Sequence, residues 1–280
     1  VSLFASVMGV RRAGWRSGLT IGIKSGDYRR SPRDSAAAKT GIIQPVKFLF
    51  MMMLVVATGW SHAAPFEDTL AQRTLACTAC HGAQGRAGPD GYYPRIAGKP
   101  AGYLYHQLLH FREGRRHYGL MTRLLDPLSD AYLMEIAQHF ASLDLPYPPP
   151  APARAPQATL ERGRTLALQG DPARKLPACA QCHGASLTGV LPNTPGLLGL
   201  PRDYLNAQLG AWRSGERRAH APDCMAQIAR RLEPEDLNAV TAWLASQALP
   251  ANTQALARLP AAPSLVCGSV NLPAATGAKP

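Results

Sequence analysis

Ala76-Cys77-Thr78-Ala79-Cys80-His81-Gly82 and Ala178-Cys179-Ala180-Gln181-Cys182-His183-Gly184 are one pattern written twice, 102 residues apart. The repetition extends well beyond these heptapeptides. Gly98, Pro100, Tyr103 and Leu104 match Gly199, Pro201, Tyr204 and Leu205 at an offset of 101. That register continues through Gln107 and Gln208, Phe111 and Trp212, Arg112 and Arg213, and Gly114 and Gly215. Met121 then answers Met225, and the stretch 140–146 answers 244–250 at an offset of 104. Matches that keep nearly constant spacing over this length mark two homologous domains.

Both motifs read Cys-x-x-Cys-His, the signature of covalent haem attachment. Two thiols one turn apart add across the vinyl groups of the porphyrin, and the adjacent imidazole reaches the iron. With this composition, chance gives roughly 0.004 such pentapeptides per chain. A zinc site would need four ligands in each half, with its histidine usually further along the chain. A thioredoxin-like disulfide would sit beside a βαβ pattern, which is absent. The chain is therefore expected to carry two haem c groups, attached at Cys77 and Cys80 and at Cys179 and Cys182, with His81 and His183 as proximal iron ligands.

The surrounding sequence is helical. Ser129-Asp130 precedes an apolar series at Leu133, Ile136, Ala137 and Phe140, with Ser129 or Asp130 suited to cap it. Leu237, Val240, Thr241 and Leu244 repeat that spacing behind Glu233-Pro234. Pro100 and Pro201 sit where a first helical turn tolerates proline. No run alternates like a strand, so the fold class is all-α. Between the halves, residues 146–156 hold six prolines in eleven positions, a semi-rigid spacer spanning at most roughly 34 Å. The expected organisation is a domain at 64–145, the Pro-rich linker at 146–156, a second domain at 157–250 and a Pro/Ala-rich tail at 251–280.

Composition sets further bounds. The chain has 280 residues, 46% of them hydrophobic, and a formal charge of +12. Residues 1–47 alone hold nine Lys or Arg against two Asp, while the remainder has 21 basic and 16 acidic residues. The basicity is therefore concentrated upstream, which argues against nucleic acid as a partner. Lys47, the apolar run 48–59 and the small-residue end at Ser61 and Ala63 read as a secretory signal peptide cleaved after Ala63. The run is too short to span a bilayer. Translation is expected to start near Val46, so residues 1–63 are excluded from the fold and the mature protein is placed in the periplasm.

A sixth iron ligand separates carrying electrons from catalysis. The processed chain has three methionines, Met121, Met134 and Met225. Met121 and Met225 fall in equivalent loops before the last helix of each half, while Met134 falls at core spacing inside that helix. Thioether ligation raises the reduction potential and leaves no open position for substrate. His117 in the first loop, and His220 and Cys224 in the second, stand as alternatives.

With these residues in place the chain resembles the diheme cytochromes c of the cytochrome c4 type, two tandem class I cytochrome c domains. The resemblance covers roughly residues 66–250 and rests on CTACH with Met121, CAQCH with Met225, the Gly-x-Pro-x-x-Tyr-Leu-x-x-Gln-Leu segments and the terminal helices. It implies that Pro94 and Pro195 offer carbonyls to the proximal histidines. It also implies a crossing of first and last helices at a small residue, which Gly163 near Trp243 fits. The Thr69–Ala76 helix of the first half has no equivalent glycine. A periplasmic electron carrier is implied, sometimes associated peripherally with the membrane. Its partners would be a terminal oxidase, a cytochrome bc1-type donor or a dehydrogenase.

Cys224 and Cys267 remain after the haem cysteines, and a leftover pair in an exported protein suggests a disulfide; free thiols are the alternative. Arg115, Arg116 and His117, with Arg217, Arg218 and His220, read either as solvated residues or haem-propionate partners, or as a docking patch for acidic redox partners. Three functions compete: an electron shuttle, a haem subunit of a separate dehydrogenase, and an enzyme. The enzyme would resemble a diheme peroxidase or thiosulfate dehydrogenase, with Cys224 or an open position at the second iron. The shuttle, with His81, Met121, His183 and Met225 on iron, is the reading the sequence favours.

Overall fold

The computed structural model describes residues 68–88, 90–150 and 152–270, all within one compact unit. The upstream segment and signal peptide expected at 1–63, and the last ten residues of the tail, lie outside the described residues.

The first half begins with α1 (Leu70–Arg73) and α2 (Leu75–His81). The single helix expected over Thr69–Ala76 is broken at Thr74, whose hydroxyl donates to the carbonyls of Leu70 and Ala71 and competes with the helical pattern. A 3-10 turn at Ala83–Gly85 follows the motif. Then come α3 (Ala101–Arg112), α4 (Gly119–Leu125) and α5 (Asp130–Ala141). Pro100 stands at the N-cap of α3, one position ahead of the first turn. Ser129 caps α5, its hydroxyl accepting from the Tyr132 N–H. Leu104, Ile136, Ala137 and Phe140 form one apolar cluster between α3 and α5, and Leu109, Phe111, Leu125 and Leu133 a second.

The second half runs through α6 (Gln157–Leu168), α7 (Cys179–His183), α8 (Arg202–Ser214), α9 (Cys224–Arg231) and α10 (Pro234–Ser246). A two-residue antiparallel pair, β1 (Gly189–Val190) and β2 (Thr194–Pro195), is the strand structure among the described residues. Its core gathers Ala167, Leu187, Leu198, Leu200, Leu205, Val240 and Leu244. Helices α6 and α10 cross at Gly163, where a Cβ would lie 2.2 Å from the Ala239 carbonyl oxygen and 2.8 Å from Trp243 Cβ. Only glycine permits that approach.

The Pro-rich spacer and the Pro/Ala-rich tail are both packed against the domains. At the start of the Pro-rich stretch, Arg95 donates to the Leu145 and Pro146 carbonyls and lies 3.8 Å from the Tyr147 ring centre. Tyr147 also closes on Gly199 of the second half. The tail returns to pair with Val190 through Leu256 and is joined at Cys267 to Cys224. Among the described residues no helix is long and apolar enough to cross a membrane.

Candidate haem sites

The motif helices deliver their side chains in the same way in both halves. His81 and His183 close α2 and α7, each followed by a glycine of positive φ (Gly82 and Gly184) that turns the chain away from the helix. His81 Nδ1 lies 2.8 Å from the Pro94 carbonyl, and His183 Nδ1 lies 2.7 Å from that of Pro195. A carbonyl only accepts, so Nδ1 carries the proton and Nε2 keeps its lone pair for a metal. Burial pushes both imidazoles below their ordinary range, against the opposing effect of the carbonyls, and so favours the neutral ligand form. Cys77, Cys80, Cys179 and Cys182 are unpaired thiols, and burial pushes Cys179 up to about 11.

A cavity of about 730 Å³ is lined by both motifs and by Met121 and Met225. Apolar side chains make up much of its wall, including Leu104, Phe140, Leu166, Leu205 and Leu244. Met121 and Met225 do not lie in loops as expected. They sit in the first turns of α4 and α9, and Asp223 caps α9 by accepting from the Ala226 N–H. In the second half that capping side chain converts what reads as a polar loop into a short helix, whereas α4 begins at Tyr118 without a side-chain cap. Met134 is buried in α5 as core. Of the alternative ligands, His117 is exposed, and neither it nor His220 lines the cavity. Cys224 is bonded to Cys267, so it offers no thiolate, and the free-thiol alternative is corrected.

Of the arginines beside the methionine segments, Arg116 and Arg217 turn inward, whereas Arg218 and the neighbouring His117 stay exposed. Arg116 and Arg217 face each other across the seam between the halves as an antiparallel bridge. Arg217 is only 4% exposed. Their surroundings repeat across the seam. Arg116 donates to Gln107, Gln208 and Tyr204, and Arg217 donates to Gln208, Gln107 and Tyr103. Arg116 lies 4.5 Å from the Phe111 ring centre, and Arg217 3.7 Å from that of Trp212. Apolar rings and neutral amides shield these cations, which is why a surface reading fails for them. Arg95, Lys99, Arg116 and Arg217 all line the cavity, and none has an ion-pair partner among the described residues. Buried cations without carboxylates call for an anion in the cavity.

These observations fit haem c: paired thiols, an oriented imidazole, apolar walls, and cations for the propionates. Sequence reading missed Arg95 and Lys99 because Gly196 and Leu200 occupy the matching positions of the second half, so the repeat does not flag them. It also missed a histidine cluster at the seam. His106 and His110 are buried on α3 and pack with His220, ring centres 6.0 and 5.1 Å away. The i, i+4 spacing on a helix beginning Ala101-Gly102 was the available signal.

A cytochrome c family model matches residues 160–248. A thiosulfate dehydrogenase electron acceptor of Thiomonas intermedia is 37% identical over 215 residues, covering 76% of this chain and 97% of that protein. Cytochrome c4 of Pseudomonas aeruginosa is 32% identical over 201 residues, covering 71% of this chain and 97% of that protein. The chain belongs to the diheme cytochrome c4 family. The crystal structure of reduced cytochrome c4 from Pseudomonas stutzeri superposes with a TM-score of 0.53 at 29% identity, covering 63% of this chain and 95% of that one. As a member of the c4 family, the protein is a diheme c-type electron carrier, and its two Cys-x-x-Cys-His motifs carry two covalent haem c groups.

Proposed function

We propose that this c4-type cytochrome is a periplasmic shuttle that takes single electrons from a dehydrogenase and passes them toward a terminal oxidase, with no substrate chemistry of its own. The observation that carries this reading is one cavity lined by both proximal histidines and by both Met121 and Met225. When bound, each haem c supplies one reversible one-electron couple at its iron. His81 and His183 would hold the irons from the proximal side, in the tautomer that the Pro94 and Pro195 carbonyls dictate. Met121 and Met225 would fill the distal positions and exclude exogenous ligands. Cys77, Cys80, Cys179 and Cys182 would fix each group covalently, and the cations at the seam would hold its carboxylates. The name of the Thiomonas relative supports thiosulfate dehydrogenase as the donor.

The test has two parts. The oxidised holoprotein should show the weak far-red band of methionine-ligated haem for two haems per chain, and the reduced form should bind no carbon monoxide. Mixed with thiosulfate and a catalytic amount of thiosulfate dehydrogenase, it should be reduced in a saturable reaction, and it should turn over no thiosulfate alone. Thiosulfate oxidation without the dehydrogenase would refute the carrier reading; failure to be reduced would remove this donor.

A further inference from the structure

The tail of the second half runs along both sides of that half's site. Leu256 pairs with Val190, exchanging backbone hydrogen bonds with Gly189 and Leu191 at 2.9 and 2.8 Å, and its side chain lies beside Gly184, directly after the motif. Eleven residues later the chain reaches the methionine side, where Cys267 is bonded to Cys224, the residue before Met225. There the Gly268 N–H donates to the Pro222 carbonyl at 3.0 Å, and a Cβ at Gly268 would lie 2.2 Å from the Ala221 oxygen. Ser269 Oγ accepts from the His220 N–H, and the Val270 carbonyl accepts from Asn193. Cys267, Ser269 and Val270 themselves line the cavity.

We propose that this strap is a positioning device for Met225: the Cys224–Cys267 cross-link and the contacts around it hold the start of α9 in place, so the second site stays closed to exogenous ligands. The proposal rests on the reading of Met225 as a distal ligand. An eight-residue helix is marginal by itself, and its first turn is where local opening begins. A cross-link closing a separation of 43 residues restricts the open forms of this segment far more than the closed one. Among the described residues the first half has no such device. Leu120, the residue before Met121, is 63% exposed where Cys224 is 8% exposed. Helix α4 is held instead by the Thr122 hydroxyl on the Phe111 carbonyl and by the Tyr93–Tyr118 hydroxyl pair. The first site is therefore an internal control.

The experiment compares wild-type and Cys267→Ser holoprotein for carbon monoxide binding when reduced and imidazole binding when oxidised. Both proteins should carry two haems and equal helicity. In C267S one site per chain should bind either ligand on the order of tenfold faster or more, with the matching fraction of the far-red band lost, while the other site stays as in wild type. Equal binding in both proteins would overturn the proposal. Should C267S yield no holoprotein, the disulfide is cleaved in folded, fully reduced wild type with a phosphine, and carbon monoxide binding is followed there. One site should open, and an unchanged protein overturns the proposal. A far-red band for only one haem in untouched wild type would remove the Met225 reading itself, before any cysteine is altered.

Discussion

The two halves deliver the same motif, proline carbonyl and methionine to one cavity, yet they are braced by different means. The first half leans on aromatic contacts, with Tyr92, Tyr93 and Tyr118 packed edge to face and Arg95 stacked on Tyr147. The second crosses a full helix over α10 at Gly163, ties Arg162, Arg174 and Asp171 around Asp236, and adds the tail strap. Much of what matches across the repeat lines the cavity or meets at the seam. What differs is what holds those residues in place. The chemistry of the group dictates the former, whereas any packing of adequate stability serves for the latter.

The largest effect should come from the helix crossing. Gly163→Leu would drive a side chain into the Ala239 backbone, which cannot yield, and should cost more than about 3 kcal/mol. Ala71→Leu, on exposed α1, should change stability by less than about 0.5 kcal/mol. Denaturant unfolding of the two variants checks the contrast, and equal costs would show that both halves are braced alike. Asp236→Asn comes next. Asp236 is buried and accepts from Arg162 at 2.8 Å and Arg174 at 2.6 Å, while both arginines keep Asp171 as a second partner, so the change weakens two charge-assisted hydrogen bonds and should cost about 2 kcal/mol. The same unfolding measurement should show no comparable loss for Tyr132→Phe, at the matching position of the first half.

The seam gives a pH dependence. Burial, and then the charge of His220, push His106 down to about 4 and His110 down to about 3 from 6.5. Arg217, Arg115 and the neighbouring His106 add to the effect on His110, while Glu113 opposes it at His106. Both rings are therefore neutral in the folded protein where the unfolded chain would take up protons. Their contribution is complete above pH 6.5 and is lost as the pH falls toward 3. From pH 7 to pH 5 the holoprotein should lose about 2 kcal/mol for each of the two groups. His110→Leu should flatten that slope by about half, as read from unfolding at several pH values. An unchanged slope would place the acid sensitivity elsewhere.

How much of this was legible follows from what a repeat can report. The motif cysteines and histidines, Met121, Met225, and the residues at offset 101 stand out because each has a twin, and the structure brings the motif residues, both methionines, and Tyr103, Leu104, Gln107 and Phe111 with their twins to one cavity. The helices are also legible, from apolar spacing and from Ser129 and Pro234 at their starts. One-sided features are not. Arg95, Lys99, His106 and His110 have Gly196, Leu200, Ala207 and Ala211 as counterparts, so nothing in the comparison of halves draws attention to them. The direction of Arg116 and Arg217 was hidden for another reason. A basic residue beside a polar turn reads as surface, and only the second half packed against the first turns it inward. In the tail the leftover cysteine pair was legible and is bonded, but the rest was not: Leu256 and Val270 lie in a Pro/Ala-rich stretch, and their partners are more than sixty residues away.

The smallest effect concerns how the last helix of each half begins. Ser129 accepts from the Tyr132 N–H at the start of α5, whereas α10 begins with Glu233, which makes no side-chain cap, followed by Pro234. A capping hydroxyl satisfies a donor that the helix leaves unpaired; a proline at the first position has no such donor and arrives with its φ already helical. The two devices therefore act on different states, one on the folded helix and the other on the freedom of the unfolded chain. Ser129→Ala should cost about 1 kcal/mol, and Glu233→Ala should cost only a few tenths. Pro234→Ala should act through the unfolded chain, lowering stability by about 0.5 kcal/mol without changing amide exchange in the first turn of α10 relative to global unfolding. Increased exchange at Tyr132 in S129A, with none in P234A, would separate the cap from the constraint. The reverse pattern would mean that the proline, not the serine, does the local holding, and that the halves differ less than their sequences suggest.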